Sequence, residues 1–363
     1  MKKITILCCI LGLTSTIGQL QGQDPNYSQF YNVPSYYNPS YTGLYPGLRI
    51  NFAFRDQWPT LPEDFKSYFL GVDLGDRGLP GSGGIGLIFN QDNEGLGFIR
   101  NFSVGLNLSV RIPITKFMTA QVGIKAAFLQ KKVNWDDFVF SDQLSEKYGN
   151  IYSSNFIEPE RSTLNLPDFA AGGIIQFAGE SGSISGVLGF AVDHIFEPDQ
   201  SFLTTSESPL RRKWIVHGDV VIDAENRGSK YPSSRSDGFK LNPGIIYQNQ
   251  GGSNSIEAGL NLTKFNFYLG GWYRGAFGNR TSSALMLAAG YRYFFVEDMS
   301  IKFAYSYDIQ MAGVLLGTGG AHEITLILEF DNVSIFGGNS PTRSFGHGNR
   351  GRRFGEPIEC SSF

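Results

Sequence analysis

Cysteine is scarce in this sequence, which has only three in 363 residues. Two of them, Cys8 and Cys9, lie in a predicted signal peptide at residues 1–22, where two lysines precede the apolar run Ile4–Leu13. A lipoprotein signal is the alternative, but cleavage at either cysteine would leave almost no apolar run. Removal of the signal leaves Cys360 alone, which excludes an intramolecular disulfide in the mature chain.

Long apolar runs and a strong net charge are also absent. No run of about twenty apolar residues follows the signal, so no transmembrane helix is predicted. The formal net charge of −3 argues against a nucleic-acid binder, whose surface would be strongly basic. The four histidines and the one mature cysteine show no metal-ligand spacing, and no EF-hand ladder of Asp and Asn occurs. We therefore predict no metal site and no cofactor.

Glycine and aromatic residues are abundant instead, with 45 glycines, 30 phenylalanines and 17 tyrosines. From Leu48 onward apolar and polar residues alternate with a period of two, as in NFSVGLNLSVRI at 101–112, which is typical of β-strands. Most of these segments have about the nine to eleven residues that a tilted strand needs to cross a bilayer. Fourteen are predicted, near 48–58, 65–74, 83–91, 100–112, 117–130, 167–178, 183–195, 212–223, 238–249, 254–262, 264–274, 283–296, 299–310 and 321–331.

The polar faces of these segments carry charges in nearly every strand, among them Arg49, Arg55, Lys125 and Asp308. A lysine or arginine that faces lipid at the bilayer midplane costs about 2–4 kcal/mol, so the charged faces must line a lumen. The patterns predict an all-β fold, a transmembrane antiparallel up-and-down β-barrel of about 14 strands that occupies residues 48–331 in the outer membrane. A soluble β-sandwich or propeller is the alternative, although no repeat of about forty to fifty residues supports a propeller.

The connections agree with periplasmic N- and C-termini. In that orientation every second connection faces outside, and the outside set includes the two longest, 131–166 and 196–211. The long connection 224–237 breaks the pattern, because a short turn is expected there. An even number of strands returns the chain to the periplasm, where the Gly/Arg/Ser-rich residues 332–363 are predicted to form a tail.

Residues 23–47 are predicted to form a periplasmic leader that plugs the barrel. Its stretch DPNYSQFYNVPSYYNPSYTG, at 24–43, is crowded with aromatic residues and has three prolines. Proline lacks a backbone donor, so the stretch cannot join the strand ladder freely. We predict that it folds into or across the periplasmic mouth, with its rings packed there and its polar groups bonded to lumenal residues. The predicted plug residues are Tyr27, Gln29, Phe30, Tyr31, Asn38 and Pro39.

Two short motifs resemble enzyme sites. GSGGIG at 81–86 matches the dinucleotide-binding pattern, but it leads into a strand and opens no helix, so a glycine-rich turn is predicted. His217 and Asp219 share one strand face and could serve a hydrolase, but no nucleophile is marked by its spacing. Paired polar residues are ordinary in the lumen of a barrel. No enzymatic activity is predicted, and an outer-membrane hydrolase is the second alternative.

Three stretches of the mature chain resemble the PorP/SprF family, and the resemblance extends from end to end. They are the SQFY…NP…G block from Ser28 to Gly43, the RDQW of Arg55–Trp58, and the closing YDI…GAHEITLILEF, which includes Gly320, His322 and Glu323. Two features depart from the family pattern. Ser40 stands where alanine is expected after Asn-Pro, and the long arginine-rich tail is not typical.

The PorP/SprF family consists of outer-membrane β-barrels of Bacteroidetes that are associated with type IX secretion and gliding motility. The resemblance implies a non-enzymatic role in the export or surface anchoring of a specific large secreted protein, often an adhesin, through its C-terminal domain. It also implies contact with outer-membrane lipid and, for some members, with the periplasmic rings of the secretion motor. A passive porin or small-molecule channel is the main alternative, because it also needs a charged lumen.

The longest outer connection carries the residues that we predict to contact a partner: Trp135, Phe138, Phe140 and Tyr148. Exposed aromatic residues in a long loop are suitable anchors for a protein partner. Packing of the loop onto itself is the equal alternative.

Overall fold

The computed structural model describes residues 24–61, 65–75, 82–95, 99–145, 147–180, 183–224, 239–276, 279–296, 298–311, 317–331 and 333. The predicted signal peptide, nearly all of the predicted tail, Cys360 and most of the connection 224–237 lie outside the described residues. Among the described residues, no helix has the length and apolar character to span a membrane.

Sixteen strands occur in the described part of the chain, and fourteen of them form one closed barrel. The barrel strands are β1 (Gly47–Gln57), β2 (Phe65–Gly75), β3 (Ser82–Glu94), β4 (Ile99–Pro113), β5 (Met118–Val133), β8 (Thr163–Ala178), β9 (Ile184–Asp193), β10 (Lys213–Asp223), β11 (Lys240–Gln250), β12 (Ser253–Lys264), β13 (Phe267–Ala276), β14 (Asn279–Val296), β15 (Met299–Gln310) and β16 (Ala321–Phe330). A separate hairpin of β6 (Leu144–Ser145) and β7 (Gly149–Asn150) lies in the connection between β5 and β8. Each of the fourteen predicted segments corresponds to one barrel strand, so the predicted fold class is confirmed.

The barrel is a simple meander whose neighbouring strands are all antiparallel. Each strand pairs with the barrel strand that follows it in the chain, and β5 pairs with β8. The barrel closes where β1 pairs with β16, with Leu48 opposite Phe330 and Arg55 opposite Glu323. We call this contact between the first and last strands the seam. Closure at the seam leaves the sheet without an exposed edge.

Burial in the barrel strands is the reverse of that in a soluble β-protein. Large apolar side chains on the outer face are exposed, for example Ile124 and Leu188, each at 60%. Polar side chains on the inner face are buried, including Asn107, Gln121 and Glu257 at 0%. An apolar exterior of this kind suits contact with lipid, and the alternation of the sequence is therefore that of a membrane barrel.

The two ends of the barrel carry different connections. We call the end where β1 begins and β16 finishes the terminus end, and the opposite end the loop end. The loop end carries 134–162 and 194–212, which correspond to the two connections that the sequence predicts to be longest and outermost. The terminus end carries the short turns 114–117 and 265–266. It also carries 224–239, the exception in the predicted pattern.

Residues 24–46, which we call the leader from here on, run through the interior of the barrel. The Asp24 amide donates to Gln250, the last residue of β11 at the loop end. At the terminus end, Gly43 approaches Gly84 near the start of β3. The path therefore extends to both ends of the barrel, whereas the sequence predicts a segment in or across one mouth. Three short helical turns occur along it, at Phe30–Asn32, Pro34–Tyr37 and Pro39–Tyr41. Two of them begin with proline, whose fixed φ suits the first helical position.

Candidate functional site

The aromatic residues of the leader form an apolar core inside the barrel. Tyr27 and Tyr37 are almost wholly buried, and the Tyr27 amide donates to the Tyr37 hydroxyl at 2.8 Å. The side chains that surround them are Ala53, Phe69, Ile88, Ala191, Ile215 and Ile246. These residues belong to β1, β2 and β3 on one side and to β9, β10 and β11 on the other. The leader therefore joins opposite walls of the barrel.

A second aromatic group lies against β13. Phe30 meets Trp272 edge to face with ring centroids 5.0 Å apart, and Tyr31 stacks on the same indole at 5.5 Å. Trp272 is itself buried and donates to Asn261 Oδ1 at 2.9 Å, so its ring is held in place. Aromatic pairs of this kind each contribute about 0.5–1.5 kcal/mol beyond the area they bury. The predicted plug residues Phe30 and Tyr31 thus share one contact surface.

Gln29 and Asn32 bond the leader to both strands of the seam. The Gln29 amide donates to Glu323 Oε1 at 2.8 Å. Asn32 Nδ2 donates to Thr325 Oγ1 of the same strand, β16, at 3.1 Å. On the other side of the seam, Asn51 of β1 donates to the Asn32 carbonyl at 3.1 Å.

A buried set of charges surrounds these bonds, and we call Ser28, Gln29, Arg55, Asp308 and Glu323 the seam cluster. The Ser28 amide donates to Glu323 Oε2 at 2.6 Å, so two consecutive leader amides bind the two oxygens of one carboxylate. Arg55 pairs with Asp308 at 2.8 Å and with Glu323 at 3.3 Å, and it also donates to the Ser28 hydroxyl. Such partners are required because a buried charge has lost its hydration.

The charge network extends from the seam cluster into β12 and β13. Arg274 pairs with Asp308 at 3.3 Å and with Glu257 at 2.8 Å. Two arginines, Arg55 and Arg274, therefore share three carboxylates, and the leader supplies additional donors. The sequence predicts that charges line the lumen, but not that these charges meet.

The three stretches that carry the family resemblance converge on the seam cluster. Ser28 and Gln29 come from the SQFY block, Arg55 from RDQW, and Asp308 and Glu323 from the closing stretch. Ser28 and Glu323 are 295 residues apart in the chain yet share a hydrogen bond. Residues from all three stretches therefore meet at one physical site.

Asn38 and Pro39 fix the second half of the leader against β5, β8 and β9. Asn38 Nδ2 donates to the carbonyls of Gly173 and Phe190, at 3.3 Å each. The Pro39 backbone passes so close to Gly123 that a Cβ added at Gly123 would lie 2.6 Å from the Pro39 carbonyl carbon. Only glycine permits such an approach without displacement of the leader.

An ionic anchor holds the head of the leader at the loop end. Asp24 lies 2.9 Å from Nε2 of His194, which follows β9, and 3.7 Å from Lys213 Nζ. His194 Nδ1 lies 3.0 Å from Asp168. Burial opposes ionisation of Asp24, but the charges of His194 and Lys213 outweigh it and lower the pKa of Asp24. Burial also opposes protonation of His194, yet Asp24 and Asp168 raise its pKa to about 10. The contact is therefore an ion pair at neutral pH.

A cavity of about 770 Å³ lies at the loop end, lined by the leader head and by the nearby ends of the strands. Its wall combines aromatic residues such as Trp58 and Phe102 with polar ones such as Asn101, Glu94 and Lys131. Within the described ranges, no group of three or more His, Cys, Asp and Glu residues is placed to hold a metal ion.

His217 faces the leader. Its Nε2 lies 3.2 Å from Asn38 Nδ2, and its Nδ1 lies 3.3 Å from the Tyr41 hydroxyl. Both ring nitrogens are therefore in contact with leader groups. The geometry does not present His217 and Asp219 as a base paired with a nucleophile.

The residues predicted to contact a partner separate into two groups. Trp135 and Phe140 pack on Phe156, with ring centroids 4.2 Å apart for Phe140–Phe156, and Phe138 packs on Trp135 at 5.8 Å and on Phe140. Tyr148 projects instead from the β6–β7 hairpin and is 66% exposed. The first three are half-buried by these ring contacts, whereas Tyr148 is exposed. Contact of any of the four with a partner stays a prediction.

Connection 134–162, which we call the lobe, has local structure of its own. Short 3₁₀ turns occur at Trp135–Asp137 and Ser141–Gln143. Asp142 accepts the Asn155 amide at 2.6 Å, and this bond lowers the pKa of the exposed carboxyl. Besides Tyr148, the lobe exposes large apolar side chains that the sequence does not predict as contact residues, namely Val139, Leu144, Ile151, Tyr152, Phe156 and Ile157.

Asp24 and His194 were also missed by sequence reasoning. His194 lies just after β9 and Asp24 lies before β1, so neither residue belongs to the alternating pattern of a strand. The available signal is the presence of charged residues on the polar, lumen-facing sides of nearly every strand. That signal does not identify partners, because Asp24 and His194 are 170 residues apart.

Comparison with solved structures finds outer-membrane barrels at low sequence identity. The chain aligns with a Pseudomonas aeruginosa FadL homologue at 12% identity and TM-score 0.43, over 83% of this chain and 94% of that one. It aligns with the Ralstonia pickettii toluene transporter TbuX at 10% identity and TM-score 0.45, over 82% and 94%. The CymD monoaromatic hydrocarbon channel aligns at 8% identity and TM-score 0.42, over 82% and 91%. No curated protein matches the sequence at a significant level.

The family comparison covers most of the chain. Residues 19–328 match the family described as type IX secretion system membrane protein PorP/SprF, a range that includes the leader and nearly the whole barrel. A membrane protein family, a closed barrel and an apolar exterior together locate the protein in the outer membrane. The chain belongs to the PorP/SprF family of type IX secretion system membrane proteins.

Proposed function

We propose that this protein is a non-enzymatic accessory of type IX secretion that supports the export or surface anchoring of one large secreted protein, such as an adhesin. The loop end faces the cell exterior and binds the C-terminal domain of that cargo. The barrel anchors the cargo-binding loop end in the outer membrane, and the leader plugs the lumen. Family membership supports the secretion role, and the interior of the barrel supports docking over passage.

The filled interior is the observation that carries this proposal. Tyr27, Gln29 and Asn38 are each fully buried within the lumen, where they contact strands on opposite sides. A solute that crossed the barrel would have to displace side chains bonded to both walls. Passage of a solute would therefore require breaking these contacts, whereas a rigid barrel that binds a partner can keep them.

The lobe provides the surface on which we expect the cargo to bind. Tyr148 and Ile157 are 66% and 89% exposed, although both are large and apolar. Exposed apolar patches on a structured element mark protein contact sites. The packed rings of Trp135 and Phe140 support this surface from within, so that little ordering is needed on binding.

The proposed role can be tested by complementation of a deletion strain. We expect the strain without the gene to lose one large protein from its surface, and the wild-type gene to restore it. A lobe variant with Tyr148→Ser and Ile157→Ser should restore barrel levels but not the surface protein. The matched control is Glu158→Ser with Glu160→Ser, two exposed polar changes in the same lobe. An unchanged surface proteome in the deletion strain would refute the proposal.

A passive channel is the second candidate, and the cavity of about 770 Å³ at the loop end favours it. Conductance of the purified mature chain in planar bilayers separates the two functions. A steady open pore supports the channel, whereas silence supports a plugged docking barrel.

At the terminus end, we expect the leader exit and the predicted tail 332–363 to face the periplasmic rings of the secretion motor. Purification of ring components with the full chain, and their loss when 332–363 is deleted, is the supporting result. Equal recovery with and without the tail would exclude the tail from this contact.

A further inference from the structure

We infer that the leader has a second function, as an internal template that closes the barrel at the seam. This function concerns assembly of the barrel and does not depend on the secretion role.

The seam is the most difficult strand pair to form. Every other pair joins consecutive barrel strands, whereas β1 and β16 are the first and the last of them. Arg55 and Glu323, which face each other across the seam, are 268 residues apart. The entropic cost of closing a loop rises with the length of that loop, so the seam is closed last and with least help from the chain itself.

The leader is local to one side of the seam. Asn32 and Asn51 are 19 residues apart, and Ser28 and Arg55 are 27 apart. Contacts over such distances form readily, so the leader and β1 can associate before the last strands arrive. The leader and β1 together then present part of the binding site for β15 and β16, where β1 alone would present only an unpaired strand edge.

The groups that this site offers fit the last two strands. The amides of Ser28 and Gln29 bind Glu323 of β16, and Gln29 Nε2 donates to Ser306 Oγ of β15 at 3.1 Å. Ser28 Oγ donates to Asp308 of β15 at 2.6 Å. One short stretch of leader therefore contacts both strands of the last hairpin while it remains bonded to β1.

The same site selects the register of the seam. Glu323 reaches both leader amides only while it lies opposite Arg55. A slip of two residues would keep the lumenal face but move β16 by about 6.8 Å along β1, beyond the reach of any hydrogen bond. The template thus distinguishes the correct register from the nearest one with the same inward face.

Disulfide trapping during refolding tests this function. The seam pair is Phe52→Cys with Leu326→Cys, and the reference pair is Leu106→Cys with Ala126→Cys between β4 and β5. Within each pair the two residues lie directly opposite each other on neighbouring strands, and their side chains face outward. Each pair is placed in a mature chain with Cys360→Ser, which is unfolded in urea, diluted into lipid vesicles and oxidised for increasing times. The leader variant is Gln29→Ala with Asn32→Ala, and the control is Asn38→Ala, which removes leader bonds far from the seam.

We expect the leader variant to delay the seam disulfide several-fold and to leave the reference disulfide unchanged. Asn38→Ala should delay neither. The proposal is overturned if the seam disulfide of the leader variant forms at the wild-type rate, or if both disulfides are delayed equally. A chain that lacks 24–43 gives a second measurement: a separate peptide of residues 24–46 should restore its seam disulfide. Closure of that chain at the wild-type rate without peptide would also overturn the proposal.

Discussion

Removal of the Arg55 guanidinium should destabilise the barrel strongly. The side chain is 3% exposed and pairs with two carboxylates, Asp308 and Glu323, that are both fully buried. Loss of one partner of a buried ion pair costs about 3–5 kcal/mol, because it leaves a charge without hydration or a counter-charge. Arg274 still pairs with Asp308, and two leader amides still bind Glu323, so Arg55→Met should lower the free energy of unfolding by about 3 kcal/mol, the low end of that range.

Urea titration of the purified chain in lipid vesicles, followed by tryptophan fluorescence, measures this loss. Arg211→Met is the matched control, since Arg211 pairs with Glu197 at 3.7 Å while its side chain is 43% exposed. An exposed pair of this kind contributes at most about 1 kcal/mol. Addition of Glu323→Gln to Arg55→Met should recover part of the loss, because one uncompensated charge is then removed. A loss in Arg55→Met no larger than that in Arg211→Met would refute the reasoning.

Three further changes test other parts of the structure. Gly123→Ala places a Cβ against Pro39 and should displace the leader, and this displacement should raise the conductance in planar bilayers. Gly271→Ala is the control, because open space surrounds Gly271 and the conductance should stay unchanged. His194 has a folded pKa of about 10, above its ordinary value of 6.5. The stability that its charge contributes is therefore complete below about pH 6.5 and is lost as the pH rises through about 10. Proteolytic release of the leader head should increase over that interval, and His194→Ala should show no such step. Trp135→Ala removes ring contacts to Phe138 and Phe156 and should make the lobe susceptible to limited proteolysis while the barrel stays intact; a lobe as resistant as the wild type would contradict this.

The strands were predictable because each face of a membrane barrel has a single environment. NFSVGLNLSVRI alternates without exception, and β4 follows it from Ile99 to Pro113. Boundaries were less accurate where proline intervenes. The predicted segment at 167–178 begins at Pro167, yet β8 starts at Thr163 and includes that proline as a partner of Phe128. Periodicity indicates which face a residue occupies, but it does not mark where pairing stops.

The interior could be predicted only in outline. Composition indicates that the leader is rich in aromatic residues and proline, and the Asn38 cap with Pro39 accounts for the turn at Pro39–Tyr41. The contacts that hold the leader in the lumen, however, join it to distant strands. The bond between Gln29 and Glu323 joins residues 294 positions apart, and no local pattern encodes that pairing. Contacts within the lobe are equally hard to predict from the sequence, since three of its aromatic residues, Trp135, Phe138 and Phe140, pack within the lobe itself.

The bonds that cross the lumen also have a mechanical consequence. A hollow tube of β-strands resists tension along its hydrogen bonds but is readily flattened, because bending a sheet breaks few of them. Here the leader acts as an internal strut, tied to β16 at Ser28 and to β8 and β9 at Asn38. A sideways pull on one wall is shared with the opposite wall, so the cross-section keeps its shape under load.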